Sequence, residues 1–201
     1  MKRAWTKLWL CASAIGMLLC IALAGQSGVA AAEAKRKNET TLAGLRPGRD
    51  KLRTATNVHG PYYRQVVPGA DDVVAWVDKV KHRIVRVELD KDKVIQSVTV
   101  STIDPLIDQP SDPQKEPDSA LPSVKLATGR GIRISYNLRS EVEDTYGEPN
   151  SISPSTQHGN DVTLLYYSFD WAGPKVPQVM EVSCERTTGR VVQITLAYPS
   201  L

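Results

Sequence analysis

Three histidines, three cysteines and a scatter of carboxylates are the residues that could do chemistry in this 201-residue chain. His59, His82 and His158 never fall at the spacing that brings two imidazoles to one metal ion, and no cysteine lies beside any of them. His59 closes a short helical stretch, where packing or capping explains it, and His158 precedes Gly159 and Asn160 and reads as a loop residue. There is no Gly-x-Ser-x-Gly elbow, His-Glu-x-x-His pair or phosphate-binding loop. Thr128-Gly129-Arg130-Gly131-Ile132 has two glycines but no preceding strand of a βαβ unit, so it reads as a turn. Asp104, Asp108, Asp112, Glu116 and Asp118 are interrupted by prolines and lack the compact oxygen set of a calcium loop. No catalytic residue, metal ligand or cofactor site is predicted, and the chain is read as a non-enzyme.

Interaction is the chemistry that remains. Tyr62, Tyr63, Trp76, Tyr166 and Trp171 lie on or near strand-like runs and form a possible partner surface, since interfaces favour Tyr and Trp. The competing reading places them in the core of a protein with a single Phe. The basic run Lys79, Lys81, His82, Arg83 and Arg86 could touch anionic lipid or a partner, although charges alternating on the exposed side of a strand account for it more simply. Cys184 is read as a small buried hydrophobe.

The surrounding sequence narrows the setting. Lys and Arg number 25, Asp and Glu 22, and the excess lies in Lys2, Arg3 and Lys7, so residues 33–201 are neutral. That argues against a nucleic-acid binder, which needs clustered positive charge. The charged start, the apolar run 8–24 and a polar-small stretch follow the layout of a signal peptide over residues 1–32, cut after Ala32, or alternatively after Ala24. An uncleaved inner-membrane anchor is the rival reading. Cys11 and Cys20 follow leucines, which does not suit lipid attachment. The expected location is therefore periplasmic or secreted. Membrane contact is expected only through an uncleaved N-terminal segment or a partner. The mature chain keeps one cysteine, so no internal disulfide supports the fold.

Residues 33–39 are polar and expected to be flexible. Residues 104–123 hold five prolines and five acids and read as a linker between a first unit, 40–103, and a second, 124–201. Gly44, Arg46 and Gly60 match Gly131, Arg133 and Gly147 at a separation of 87, with Asp50 against Asn137. After each closing glycine come three strand-like runs, 72–78, 82–90 and 93–101, then 162–170, 178–185 and 190–198, joined by short turns that demand antiparallel neighbours. Ser135 is placed as the cap of the second helix, Gly147 as its end, and Leu138, Val142 and Tyr146 as its buried stripe. The expected fold class is α+β: two tandem units, each a short helix followed by a three-stranded antiparallel β-meander.

SEVEDTYGEP at 140–149, LLYYSF at 164–169 and TGRVVQITL at 188–196 resemble the SmpA/OmlA (BamE-like) domain, and LAGLRPGRDKL at 42–52 resembles its lead-in. The resemblance covers nearly the whole mature chain as two degenerate copies. It implies a cell-envelope protein that binds other envelope proteins, an adaptor of the assembly type. The tandem arrangement is also similar to the secreted β-lactamase inhibitor proteins, which implies as the alternative an enzyme inhibitor or recognition module.

Overall fold

The computed structural model describes residues 38–65, 72–102, 121, 126–157, 159–170 and 177–198. The predicted signal peptide lies outside these residues, as do His158, Trp171 and all of the predicted linker except Leu121, which is buried in the core.

Among the described residues, two eight-residue helices, α1 (Leu52–His59) and α2 (Arg139–Tyr146), accompany eight strands. The strands are β1 (Tyr63–Gln65), β2 (Val73–Asp78), β3 (Arg83–Leu89), β4 (Ile95–Thr102), β5 (Ser151–Gln157), β6 (Asn160–Asp170), β7 (Pro177–Glu185) and β8 (Val191–Ala197). They form one antiparallel sheet in the order β1-β2-β3-β4-β8-β7-β6-β5. This corrects the expected fold class. The protein is mostly sheet, and the strands of the two halves do not form separate three-stranded meanders. β4 and β8 pair from Ser97↔Ala197 to Ser101↔Gln193, which makes the sheet continuous.

Two strands, β1 and β5, were not foreseen. β5 reads Ser-Ile-Ser-Pro-Ser-Thr-Gln, a composition typical of loops. It is a strand because it needs only one partner: it lies at the sheet edge, where Pro154 forfeits no ladder hydrogen bond to a second neighbour.

Side-chain alternation divides the sheet into two faces. Val74, Trp76, Val85, Val87, Val98, Val100, Ile194, Leu196, Met180, Val182, Leu165 and Tyr167 stand in register on one face and are buried. Above them lie Ala55 of α1, Val142 and Tyr146 of α2, and Leu42, Leu45, Leu126, Ile132 and Ile134 from the connecting loops, all in one core cluster.

Both helices end on a left-handed glycine, Gly60 (φ 86°) and Gly147 (φ 83°), and the carbonyl of each accepts a hydrogen bond from an aromatic on the sheet. Trp76 Nε1 donates to Gly60 O at 2.9 Å, and the Tyr167 hydroxyl donates to Gly147 O at 3.2 Å. The residue before each glycine packs on that same aromatic: His59 on Trp76 at 5.4 Å, Tyr146 on Tyr167 at 5.8 Å between ring centroids. More contacts repeat at a separation of 87. Arg46 N–H donates to the Asp50 carboxylate and Arg133 N–H to Asn137 Oδ1, both at 2.8 Å. Gly48 N–H donates to Ile95 O and Ser135 N–H to Val191 O, both at 2.7 Å, with the donors 87 residues apart and the acceptors 96.

The second helix starts differently from the expectation. Leu138 is its N-cap, and the Glu141 carboxylate, not the Ser135 hydroxyl, accepts the Leu138 N–H at 2.7 Å. Ser135 lies outside the helix with φ 64°, where the first half has Gly48 at φ 74°. Val142 and Tyr146 are buried as expected of the stripe, whereas Leu138 is 40% exposed.

Of the stretch read as flexible, Asn38 and Glu39 are described, and Glu39 is fixed. Its carboxylate is buried and accepts the N–H groups of Thr40 (2.8 Å), Thr41 (2.9 Å) and Arg130 (3.1 Å) and the Tyr146 hydroxyl (2.7 Å). The two-glycine turn 128–132 thus cradles an internal carboxylate. A Cβ on Gly129 would lie 2.7 Å from Glu39 Oε1, so glycine is needed for the approach.

Candidate functional site: the polar face of the sheet

The other face of the sheet lies opposite the helices and carries different chemistry. Register places Ala75, Arg86, Thr99, Thr195, Glu181, Tyr166 and Ser151 in one row across seven strands. The next row holds Val77, Ile84, Ser101, Gln193, Ser183, Leu164 and Ser153. At the β2–β3 end the face is apolar, where Tyr63, Ala75, Val77 and Ile84 form a small cluster of their own. From β3 to β7 it is polar. Arg86, Glu88, Ser97, Thr99, Gln193, Thr195 and Glu181 are all half-buried.

These polar groups hold one another in place. The hydroxyls of Thr99 and Thr195 lie 3.0 Å apart, and Ser97 donates to Glu88 Oε2 at 3.2 Å. Ser101 and Ser183 flank Gln193 from either side; both are buried, and neither hydroxyl has a hydrogen-bond partner among the described residues.

The β5 edge of the sheet is a poor site for adding a strand. β5 carries Pro154 at its centre. On the polar face Arg86, Glu88, Thr99, Thr195, Glu181 and Tyr166 are half-buried, while Ala75, Val77, Ile84, Ser101 and Ser183 are buried. With strands about 4.8 Å apart, the seven paired columns of this face span roughly 30 Å.

The five aromatics singled out in the sequence do not come together. Tyr166 stands half-buried on the polar face, opposite Ser151 and Glu181. Tyr63 is on the same face but is buried in the cluster near the β1 edge. Trp76 is fully buried on the helix-covered face, and Tyr62 packs edge-on against it at 6.0 Å. Trp171 lies outside the described residues. The residues that sequence reasoning passed over are Thr99, Thr195, Gln193, Ser101 and Ser183. Their only signal was small polar residues alternating with Val, Ile and Leu in β4 and β8.

Cys184 is free and buried, and burial pushes its thiol up to about 11. Among the described residues, no group of three or more His, Cys, Asp or Glu side chains could hold a metal ion. Also among them, no helix is long and apolar enough to cross a membrane. A shallow recess lined by Thr102, Gln157, Asn160, Val162, Glu185 and Val192 lies at one end of the sheet.

No family model matches the chain, and no curated protein matches it. Among solved structures, it is similar to the crystal structure of a DUF4309 family protein (YjgB) from Bacillus subtilis, at 10% identity and a TM-score of 0.46, covering 80% of this chain and 88% of that one.

Proposed function

We propose that this is an exported, non-catalytic protein-interaction module that contacts a folded partner of the cell envelope through the polar face of its sheet. The observation that carries this reading is the row Arg86–Thr99–Thr195–Glu181–Tyr166, a half-buried platform of both charges and hydroxyls opposite the helix-covered core. Charges of both signs on a partly dried surface favour a partner of complementary mixed charge and give orientation more than raw affinity. The orphaned hydroxyls of Ser101 and Ser183 gain hydrogen bonds if a partner rearranges Gln193 between them. The signal-like N terminus and the BamE-like motifs supply the envelope setting.

The same platform suits an enzyme inhibitor, and fractionation separates the two. Crosslinking of the tagged full-length chain in its source cells is expected to capture envelope proteins in the membrane fraction. Capture of one soluble secreted or periplasmic enzyme instead would replace the adaptor reading by the inhibitor reading. Absence of any partner in either fraction would overturn both.

A further inference from the structure

Three of the four large hydrophobics exposed among the described residues lie at one end of the sheet, with Lys81, Arg83, Arg133 and Arg190 nearby and the Glu141 carboxylate on the Leu138 N–H. Val80, at 85% exposure, is the most exposed of them and sits in the turn between β2 and β3, beside Lys81. Arg83, where β3 begins, lies over the ring of Tyr136 at 5.7 Å, and Arg133 lies over the same ring at 4.5 Å. Tyr136 is 51% exposed between these two guanidinium groups.

The chain from 135 to 138 then runs beside the β7–β8 turn. Ser135 N–H donates to Val191 O, Leu138 bridges Arg190, and Arg190 Nη1 donates to Ser135 O at 2.7 Å. Leu138, 40% exposed, therefore joins the same end. Among the described residues, no ion pair joins Arg83 or Arg133 to a carboxylate, and Arg83 is only 9% exposed. Asp78, opposite Arg83 in the hairpin, is buried and turned to the Lys81 N–H at 2.9 Å. Arg83 is buried opposite the Asp78 carboxylate, whereas Arg133 is half-buried on the exposed ring and has no ion pair among the described residues, so it is the guanidinium open to an external anion. An exposed valine beside a lysine, with a tyrosine and a leucine nearby, adds what a phosphate in free solution would not need: an apolar surface.

We propose that this end of the molecule docks on an anionic phospholipid surface. Val80, Tyr136 and Leu138 enter the headgroup layer, and Lys81 and Arg133 meet the lipid phosphates. The site is separate from the polar sheet face, and either can fail without the other.

The test is sedimentation of the full chain with vesicles of phosphatidylglycerol and phosphatidylcholine in about equal parts, against phosphatidylcholine alone, at low and high salt. Residues 8–24 are the same in every variant, so differences between variants report this corner. The V80S/K81Q/R133Q variant is expected to lose at least tenfold in binding to the mixed vesicles, with an unchanged thermal midpoint. The V80S/K81Q variant, confined to an exposed turn, carries the test if Arg133 proves necessary for folding. Equal binding of wild type and variants, or no dependence on headgroup charge, would overturn the proposal. So would a chain that ignores both vesicles and is captured through this corner by an acidic protein.

Discussion

Thr99 and Thr195 face each other across the β4–β8 ladder, 96 residues apart in sequence, with their hydroxyl oxygens at 3.0 Å. They mark the middle of the pairing that joins the strands of the first half to those of the second. A seam inside a core would be closed by apolar pairs, as Val98↔Leu196 and Val100↔Ile194 close the other face. On the polar face the same ladder carries the hydroxyl pair, and the two threonines are half-buried.

Replacing both threonines by valine keeps their shape and strand preference and removes one hydrogen bond. The T99V/T195V variant should change stability by less than about 1 kcal/mol in urea unfolding. Crosslinking to the partner should fall several-fold all the same. A large loss of stability would show the pair to be a folding element.

Tyr146 ties α2 to the first described residues of the chain. Its hydroxyl donates to Glu39 Oε2 and meets the Thr128 hydroxyl, both at 2.7 Å. Tyr146→Phe leaves a buried carboxylate with one donor fewer and should cost about 1–3 kcal/mol. Burial, and then the Glu39 charge, push this phenol well above its ordinary value of 10.0. In the unfolded chain it ionises near 10.0, so above that pH the unfolded state sheds a proton that the folded state keeps. This contribution to stability is complete below pH 10 and declines above it. The Y146F variant should show a shallower alkaline decline in thermal midpoint than wild type.

Cys184 should resist thiol reagents in the native protein. Its thiol is buried and pushed up to about 11 from 9.0, so the thiolate that would react is scarce at neutral pH. Labelling at pH 8 should track global unfolding in denaturant. Fast labelling without denaturant would mean that β7 opens locally.

Ser135 holds φ 64°, a backbone region that disfavours a side chain, and Gly48 holds the equivalent place in the first half. Ser135→Gly relieves that strain and should raise stability by up to about 1 kcal/mol, measured by denaturant midpoint, after the entropy lost to a freer unfolded chain. Gly48 does not tolerate the reverse change, since a Cβ there would lie 2.7 Å from the Tyr198 ring.

Six strands, both helices and their closing glycines were legible, because alternation of Val, Ile and Leu with polar residues and the Gly60 and Gly147 stops are local signals. The joining of β4 to β8 was not. Each strand looks like the last of its own meander, and nothing in either one names a partner 96 residues away. β5 was hidden because Ser and Pro at an edge satisfy a strand without looking like one. Glu39 was misplaced for a related reason: a polar stretch reads as solvated until the turn at Gly129 and Arg130 closes over its carboxylate. For the site, aromatic content drew attention to Trp76, which supports a helix cap, and away from the threonines paired on the polar face.

The most direct test of the central claim is position-specific photocrosslinking in the source cells. A photoreactive residue is placed in turn at Thr99, Glu181 and Tyr166 on the polar face, and at Asp92 in an exposed turn as the control. We expect one shared adduct from the three sheet positions and none from Asp92. Adducts from Asp92 alone, or the same adducts from all four sites, would contradict a docking role for this face.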